Sequence, residues 1–181
     1  MLSDFGQPSR GIIQTAYVVE DLRASVKSWR DTLGVGPWFI ADRLSLESAT
    51  YRGNAVEQEI GVAMAFSGHI LIELIQPIGD GPSVYHEMIE TRGYGFHHVA
   101  RASDDFDADI AFYAARGHPL VFQALVPTGS RIGYVDTVDT LSGFTELIEY
   151  SPPNDLFFTQ IYKAALGWDG NDPFRSFDDL G

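Results

Sequence analysis

Four polar residues occupy places where a buried strand would ordinarily carry apolar ones, and they come in matched pairs. Gln14 opens a Gln-Thr-Ala segment and His98 a His-Val-Ala segment, while Glu73 and Glu146 open Glu-Leu-Ile-Gln and Glu-Leu-Ile-Glu. Strand alternation puts Leu71, Glu73 and Ile75 on one face, and Phe144, Glu146 and Ile148 on one face. A carboxylate in such company suffers a desolvation cost of several kcal/mol unless it has a partner. A cation is such a partner. Taken singly, each residue has an ordinary reading, as a solvent-facing glutamate or a hydrogen-bonded core histidine. The recurrence at equivalent places is what points to a shared binding task. The chain has no cysteine, so any metal must be held by imidazole, carboxylate or amide.

The elements that carry these residues also recur. Gly11 to Val19 reads as a strand; Asp21 then caps a helix with Leu22, Val26, Trp29 and Leu33 on one stripe, closed by Gly34. Strands follow at Trp38 to Ile40, Glu59 to Ser67 and His69 to Gln76, with Glu47 to Asn54 expected as a polar loop. The second half repeats the order: a strand at Phe96 to Arg101, a helical stripe of Phe106, Ile110 and Tyr113 stopping at Gly117, then strands at Leu120 to Val126, Ile132 to Val138 and Phe144 to Tyr150. Laying Gln14 over His98 puts Leu22 over Phe106 at the same separation and Gly34 over Gly117 within one residue. The order β-α-β-β-β thus occurs twice, the signature of an internal duplication. The expected fold is α+β: two tandem βαβββ modules, residues 11–78 and 94–152, forming a curved, cup-shaped mixed sheet with helices outside. Residues 79–93 read as a helical linker capped by Ser83. Residues 153–181 read as a C-terminal helix and acidic tail, packed on the outside or on a partner subunit.

The chain's 181 residues, 45% of them hydrophobic, are enough to bury a core. Its formal charge of −13 repels phosphate backbones and anionic lipid, so neither nucleic acid nor a membrane surface is an expected partner. No apolar run approaches a membrane span, and the first residues lack the basic-then-apolar pattern of a secretion signal, so a cytoplasmic location is expected. Part of the acidity is local: Asp104, Asp105, Asp107 and Asp109 gather at a helix start, where negative charge meets the positive end of the dipole.

The duplicated pattern, with Gly-Phe-His-His-Val-Ala opening the second half and Ile-Glu-Leu-Ile-Gln-Pro and Thr-Glu-Leu-Ile-Glu closing the halves, resembles the vicinal oxygen chelate superfamily over roughly Gly11 to Pro152. Glyoxalase I, methylmalonyl-CoA epimerase, extradiol dioxygenases and bleomycin-resistance proteins belong to it. The resemblance implies a divalent metal held by one residue from each first strand and one from each last strand: Gln14, Glu73, His98 and Glu146. The ligand set is similar to that of glyoxalase I, and the His-His segment and length to the epimerase branch, from which Gln14 departs because a histidine is commoner there. A homodimer is also implied.

One imidazole and three oxygen donors suit Zn, Co, Ni, Mn or Mg. The expected chemistry is proton abstraction beside a chelated carbonyl, the work of an isomerase, epimerase or lyase on a small molecule, an acyl thioester among the candidates. The resemblance makes Glu146 the first choice for the base and Glu73 the second, with Glu57 or Glu59 as outside candidates. A metal-free binding protein of the bleomycin-resistance type is the alternative; an extradiol dioxygenase, which needs two histidines, ranks below both. Trp38, Ile40, Tyr134 and Phe144 are expected to line the pocket. Alternation sends His97 to the face opposite His98, toward a helix or the surface. His86-Glu87 lacks the second histidine of a zinc-protease helix, and Ser130 and Ser142 have no assigned triad partners.

Overall fold

The computed structural model describes residues 11–180; the reading of the first residues as lacking a secretion signal lies outside them. In chain order the elements are β1 (Ile12–Val18), α1 (Leu22–Leu33), β2 (Trp38–Tyr51), β3 (Asn54–Ala55), β4 (Gln58–Ser67), β5 (Ile70–Ile78), α2 (Val84–Arg92), β6 (Gly95–Ser103), α3 (Phe106–Ala114), β7 (Leu120–Leu125), β8 (Arg131–Val135), α4 (Val138–Leu141), β9 (Phe144–Glu149), α5 (Pro152–Ala165) and β10 (Phe174–Ser176), followed by a 3-10 turn over Phe177–Asp179. The helix ends follow local chemistry. The Asp21 carboxylate accepts from the Ala24 N–H and Gly34 closes α1 at φ 68°; Ser83 and Ser151 cap α2 and α5 in the same way.

The strands form one mixed sheet in the order β10-β2-β4-β5-β1-β6-β9-β8-β7, and β7 returns to pair with β2. Eight strands therefore close into a barrel-like ring, with five helices outside it. The first half is ordered β2-β4-β5-β1 and the second β7-β8-β9-β6, joined by the antiparallel β1–β6 pair. The curved sheet expected from the sequence is thus closed, and the loop expected at Glu47 to Asn54 is corrected. β2 runs on through Tyr51, pairing Glu47 with Leu125 and Tyr51 with Phe122. The segment looked like a loop because its outward side chains are polar and because Ser48, at φ 51°, breaks the alternation around buried Leu46 and Ala49.

Helices α1 and α3 cover separate outer clusters, Leu22 and Val26 against Trp38 and Leu74, and Phe106 against Val135 and Leu147. By contrast α2 and α5 send Tyr85, Met88, Phe158 and Ile161 into the main core. The tail does not simply lie outside: β10 adds in parallel to β2, Phe174 opposite Trp38 and Ser176 opposite Ile40. In α5 Leu156 is exposed, whereas Phe158 and Ile161 are buried. No helix among the described residues is long and apolar enough to cross a membrane.

If α5 is part of the core, Ile161→Ala lowers unfolding stability by about 2–5 kcal/mol, whereas Leu156→Ala stays within about 0.5 kcal/mol of the parent. Urea denaturation midpoints at constant m-value measure both.

Candidate metal centre

The seam between β1 and β6 is the ground plan of the site. Ala16 lies opposite His98 across it, and each seam strand is flanked in parallel by the last strand of its own half. In β5, Glu73 pairs with Ala16, two residues beyond Gln14; in β9, Glu146 pairs with Ala100, two residues beyond His98. The repeat-related placement read from the sequence is thus a register fact. All four side chains are buried and converge. The Gln14 amide nitrogen lies 2.9 Å from Glu73 Oε2, 3.1 Å from His98 Nε2 and 3.2 Å from Glu146 Oε2. His98 Nε2 is 3.1 Å from Glu146 Oε2 and 3.5 Å from Glu73 Oε2.

The arrangement is short of positive charge. An amide nitrogen carries two hydrogens, yet here it faces three acceptors. Meanwhile Gln14 Oε1 is buried with no hydrogen-bond partner. A half-turn of the amide would bring a fourth lone-pair donor to the same point, where a cation satisfies all four at once. The candidate ligand atoms of Glu73, His98 and Glu146 lie within 4.8 Å of one another. Donors around one ion at about 2.1 Å sit about 3–4.2 Å apart, so the cluster could hold a divalent ion.

Burial pushes the Glu73 carboxyl well up, and the neighbouring Glu146 carboxylate adds to the shift. Burial raises Glu146 to about 8, partly offset by a hydrogen bond from the Tyr134 hydroxyl. Burial lowers His98 to about 3, which keeps it neutral with a free lone pair.

His97 corrects the simple alternation. Ala16 pairs with His98 but Tyr17 pairs with Phe96, so His97 is the extra residue of a bulge and does not go to the far face. It is fully buried, its Nε2 3.3 Å from the Val84 carbonyl in α2 and its Nδ1 2.9 Å from His98 Nδ1. A carbonyl only accepts, so His97 carries its proton on Nε2 and accepts from His98 Nδ1–H. His98 Nε2 is thereby left as a lone pair aimed at Gln14 and the two glutamates. The helix-facing expectation for His97 holds, with this added link.

The sequence profile of the Glyoxalase/Bleomycin resistance protein/Dioxygenase superfamily matches residues 13–134. The chain belongs to this superfamily. No curated protein matches it significantly. Solved structures of like fold include methylmalonyl-CoA epimerase from Mycobacterium tuberculosis, at 22% identity and TM-score 0.56 over 81% of this chain and 93% of that one. A hypothetical protein from Bacillus halodurans C-125 aligns at 17% identity and TM-score 0.56 over 80% and 96%. A methylmalonyl-CoA epimerase in complex with methylmalonyl-CoA and NH4+ aligns at 22% identity and TM-score 0.54 over 80% and 97%.

In this member of the superfamily the cluster opens on a cavity of about 680 Å3 lined in part by Ile40 and Tyr134, as expected. Trp38 and Phe144 are not in that lining. The Trp38 indole donates to the Val35 carbonyl beneath α1, and Phe144 packs on His97. Tyr85 was missed because α2 read as a linker; its hydroxyl lies 3.3 Å from that of Tyr134 at the cavity wall. The apolar Val84, Tyr85 and Met88 were the available signal. The other candidates stay outside. Glu59 is bonded to Arg43, Glu57 is exposed, Glu87 is tied to Arg52 and Tyr51, and Ser130 pairs with Ser151.

Because folding raises the carboxyl pKa of Glu73 and Glu146, the folded chain holds protons that the unfolded chain releases. Metal-free protein should therefore lose stability as pH rises from about 4.5 through about 8, where Glu146 gives up its proton, with Glu73 adding to the loss in the same direction. Glu73→Gln should flatten this slope and melt above the parent at pH 8 in chelator. Thermal melts across that range read the difference.

Proposed function

We propose that this protein is a divalent-metal-dependent isomerase, epimerase or lyase that abstracts a proton beside a chelated carbonyl of a small molecule. The reading rests on one observation: four lone-pair donors, two of them carboxylates, converge in a buried site where, among the described residues, no protein cation answers them and one amide oxygen is orphaned. Gln14, Glu73, His98 and Glu146 would hold the ion, and their donor types suit Zn, Co, Ni, Mn or Mg. Bound there, it supplies Lewis-acid polarisation of the carbonyl oxygen.

The chain's own groups do the rest. Glu146 is the proposed base: its carboxyl sits between metal-ligand duty and a Tyr134 hydrogen bond, and its raised pKa suits proton transfer near neutrality. Glu73, on the other side of Gln14, is the second candidate. Tyr134 and Tyr85 present hydroxyls to the same wall and can steady a developing negative charge. Burial of the cluster excludes bulk water, which would otherwise compete for the ion and the proton. The two halves are read as duplicated modules, each giving one first-strand and one last-strand donor. A cytoplasmic homodimer belongs to the same reading, its subunit number to be read by sedimentation. A metal-free binding protein would have no use for the charge-starved cluster, which favours the enzyme. The acyl thioester named for the epimerase neighbours offers the required acidic carbon, although the walls of this cavity favour another carrier.

Metal-supplemented protein should carry about one ion per chain; uptake below about a tenth of an equivalent on titration would sink the metalloenzyme reading. Glu146→Gln should keep the fold and slow solvent deuterium incorporation about 100- to 10,000-fold; unchanged exchange excludes it as base. His97→Phe should weaken metal binding about 10- to 100-fold, read by competition with a chromophoric chelator, because it removes the acceptor that orients His98.

A further inference from the structure

We infer that the substrate is a neutral, ring-bearing ketone or α-hydroxyketone, with two neighbouring oxygens toward the Gln14–Glu73–His98–Glu146 cluster and its carbon skeleton against the apolar walls. A coenzyme A thioester or other polyanion is the disfavoured class. This rests on the metal-site reading above and narrows its substrate.

A cavity of about 680 Å3 can enclose most of a drug-sized molecule. At the cluster the polar side chains of Gln14, Glu73, Glu146, Tyr85 and Tyr134 reach it. Away from the cluster the lining carries aliphatic strand residues such as Leu44, Val62, Ile132 and Ile148, along with polar side chains that include Asp42, Arg43, Thr128, Asn154 and Asp178. The remaining wall is aromatic and comes from the C-terminal segment, which contributes Phe157, Phe158 and Phe177. Phe157 and Phe177 lie with ring centroids 5.5 Å apart and Phe157 and Phe158 5.6 Å apart. Such faces and edges pack best on another ring.

Charge decides against the polyanion. Among the described residues lining the cavity, Arg43 is the one cation, and Glu59 already holds it. Asp42 and Asp178 stand in the same lining, Asp42 bound to Arg23 through contacts of 2.8 and 2.6 Å. The polar pair Thr128 and Asn154 satisfy each other at 3.0 Å. A phosphate would find no spare donor of positive charge and a chain of net charge −13 around it. A neutral ligand meets neither cost. It needs only two oxygens for the cluster and apolar surface for the walls.

Benzoin has these properties: two phenyl rings, a carbonyl beside a carbinol, and no charge. In its exchange reaction the Glu146 carboxylate takes the carbinol C–H proton, the C–H electron pair forms the C=C bond of the enediolate, and the carbonyl π pair moves to oxygen. Return of a deuteron from the solvent-exchanged carboxyl restores the ketone, so nothing is oxidised or reduced. Calorimetric titration of metal-loaded protein should show benzoin binding at least about tenfold more tightly than methylmalonyl-CoA. Phe177→Ala should weaken benzoin about tenfold with metal content unchanged. Methylmalonyl-CoA binding as tightly as benzoin, or benzoin failing to bind metal-loaded protein, overturns the substrate class while the metal site stands. Metal uptake is measured first and apart from ligand, so failure to take up an ion is read as failure of the earlier proposal. Phe158→Ala serves as the second wall variant if Phe177→Ala does not fold, with the same expected weakening.

Discussion

The antiparallel pairing of β1 with β6 is the constraint on which the site depends. It is the only place where one half of the ring meets the other through its first strands, and it sets Ala16 against His98. Because β5 runs parallel to β1 and β9 parallel to β6, the central four strands carry all four converging residues. A slip of one residue at the seam would send Gln14 or His98 to the opposite face and dissolve the cluster. The pairing of β2 with β7 at the far side completes the ring and holds the curvature. The seam itself is irregular, with shifts between Ile12 and Gln14 and between Ala16 and Tyr17. One of those irregularities turns His97 inward to meet His98.

The second governing fact is an electrostatic deficit. Burying two carboxylates within reach of one imidazole and one amide is unfavourable unless protons or a cation neutralise them. The lowered pKa of His98 removes the imidazole as a source of positive charge, and the raised pKa values of Glu73 and Glu146 express the same shortage. His97 deepens it, since a proton fixed on its Nε2 by the Val84 carbonyl obliges His98 to present a lone pair. Every local preference at the cluster, from backbone carbonyl to amide oxygen, thus points electron pairs at one place.

Much of this was legible in the sequence, and the parts that were not share a cause. The strands and helices fell where periodicity and caps put them, because Asp21, Ser83 and Gly34 act within one turn of themselves. Gln14, Glu73, His98 and Glu146 stood out in the sequence because its two halves could be compared: each residue had a counterpart, and the structure brings the four together. What lacked a counterpart was misread. The continuation of β2 past Glu47, the bulge at His97, the inward turn of Tyr85 and the docking of β10 on β2 are long-range outcomes. None leaves a periodic mark, and each depends on what the segment meets across the fold. Trp38 shows the same limit from the other side, since alternation puts it on a face but does not say which face is cavity and which is helix.

The division of labour within the chain follows from where these features lie. The superfamily profile spans residues 13–134, which takes in Gln14, Glu73 and His98 but stops short of Glu146 and of everything after it. The aromatic wall at Phe157, Phe158 and Phe177 lies wholly beyond that span. The cluster and the wall are therefore specified by different stretches of sequence, and a change in one need not disturb the other. The seam residues can be kept while the C-terminal segment is altered to reshape the cavity. The matched span consequently includes three of the four residues proposed as ligands and none of the wall. The apolar, cation-poor cavity is therefore a property of this chain's own residues, and the proposed substrate class rests on it and not on the shared fold.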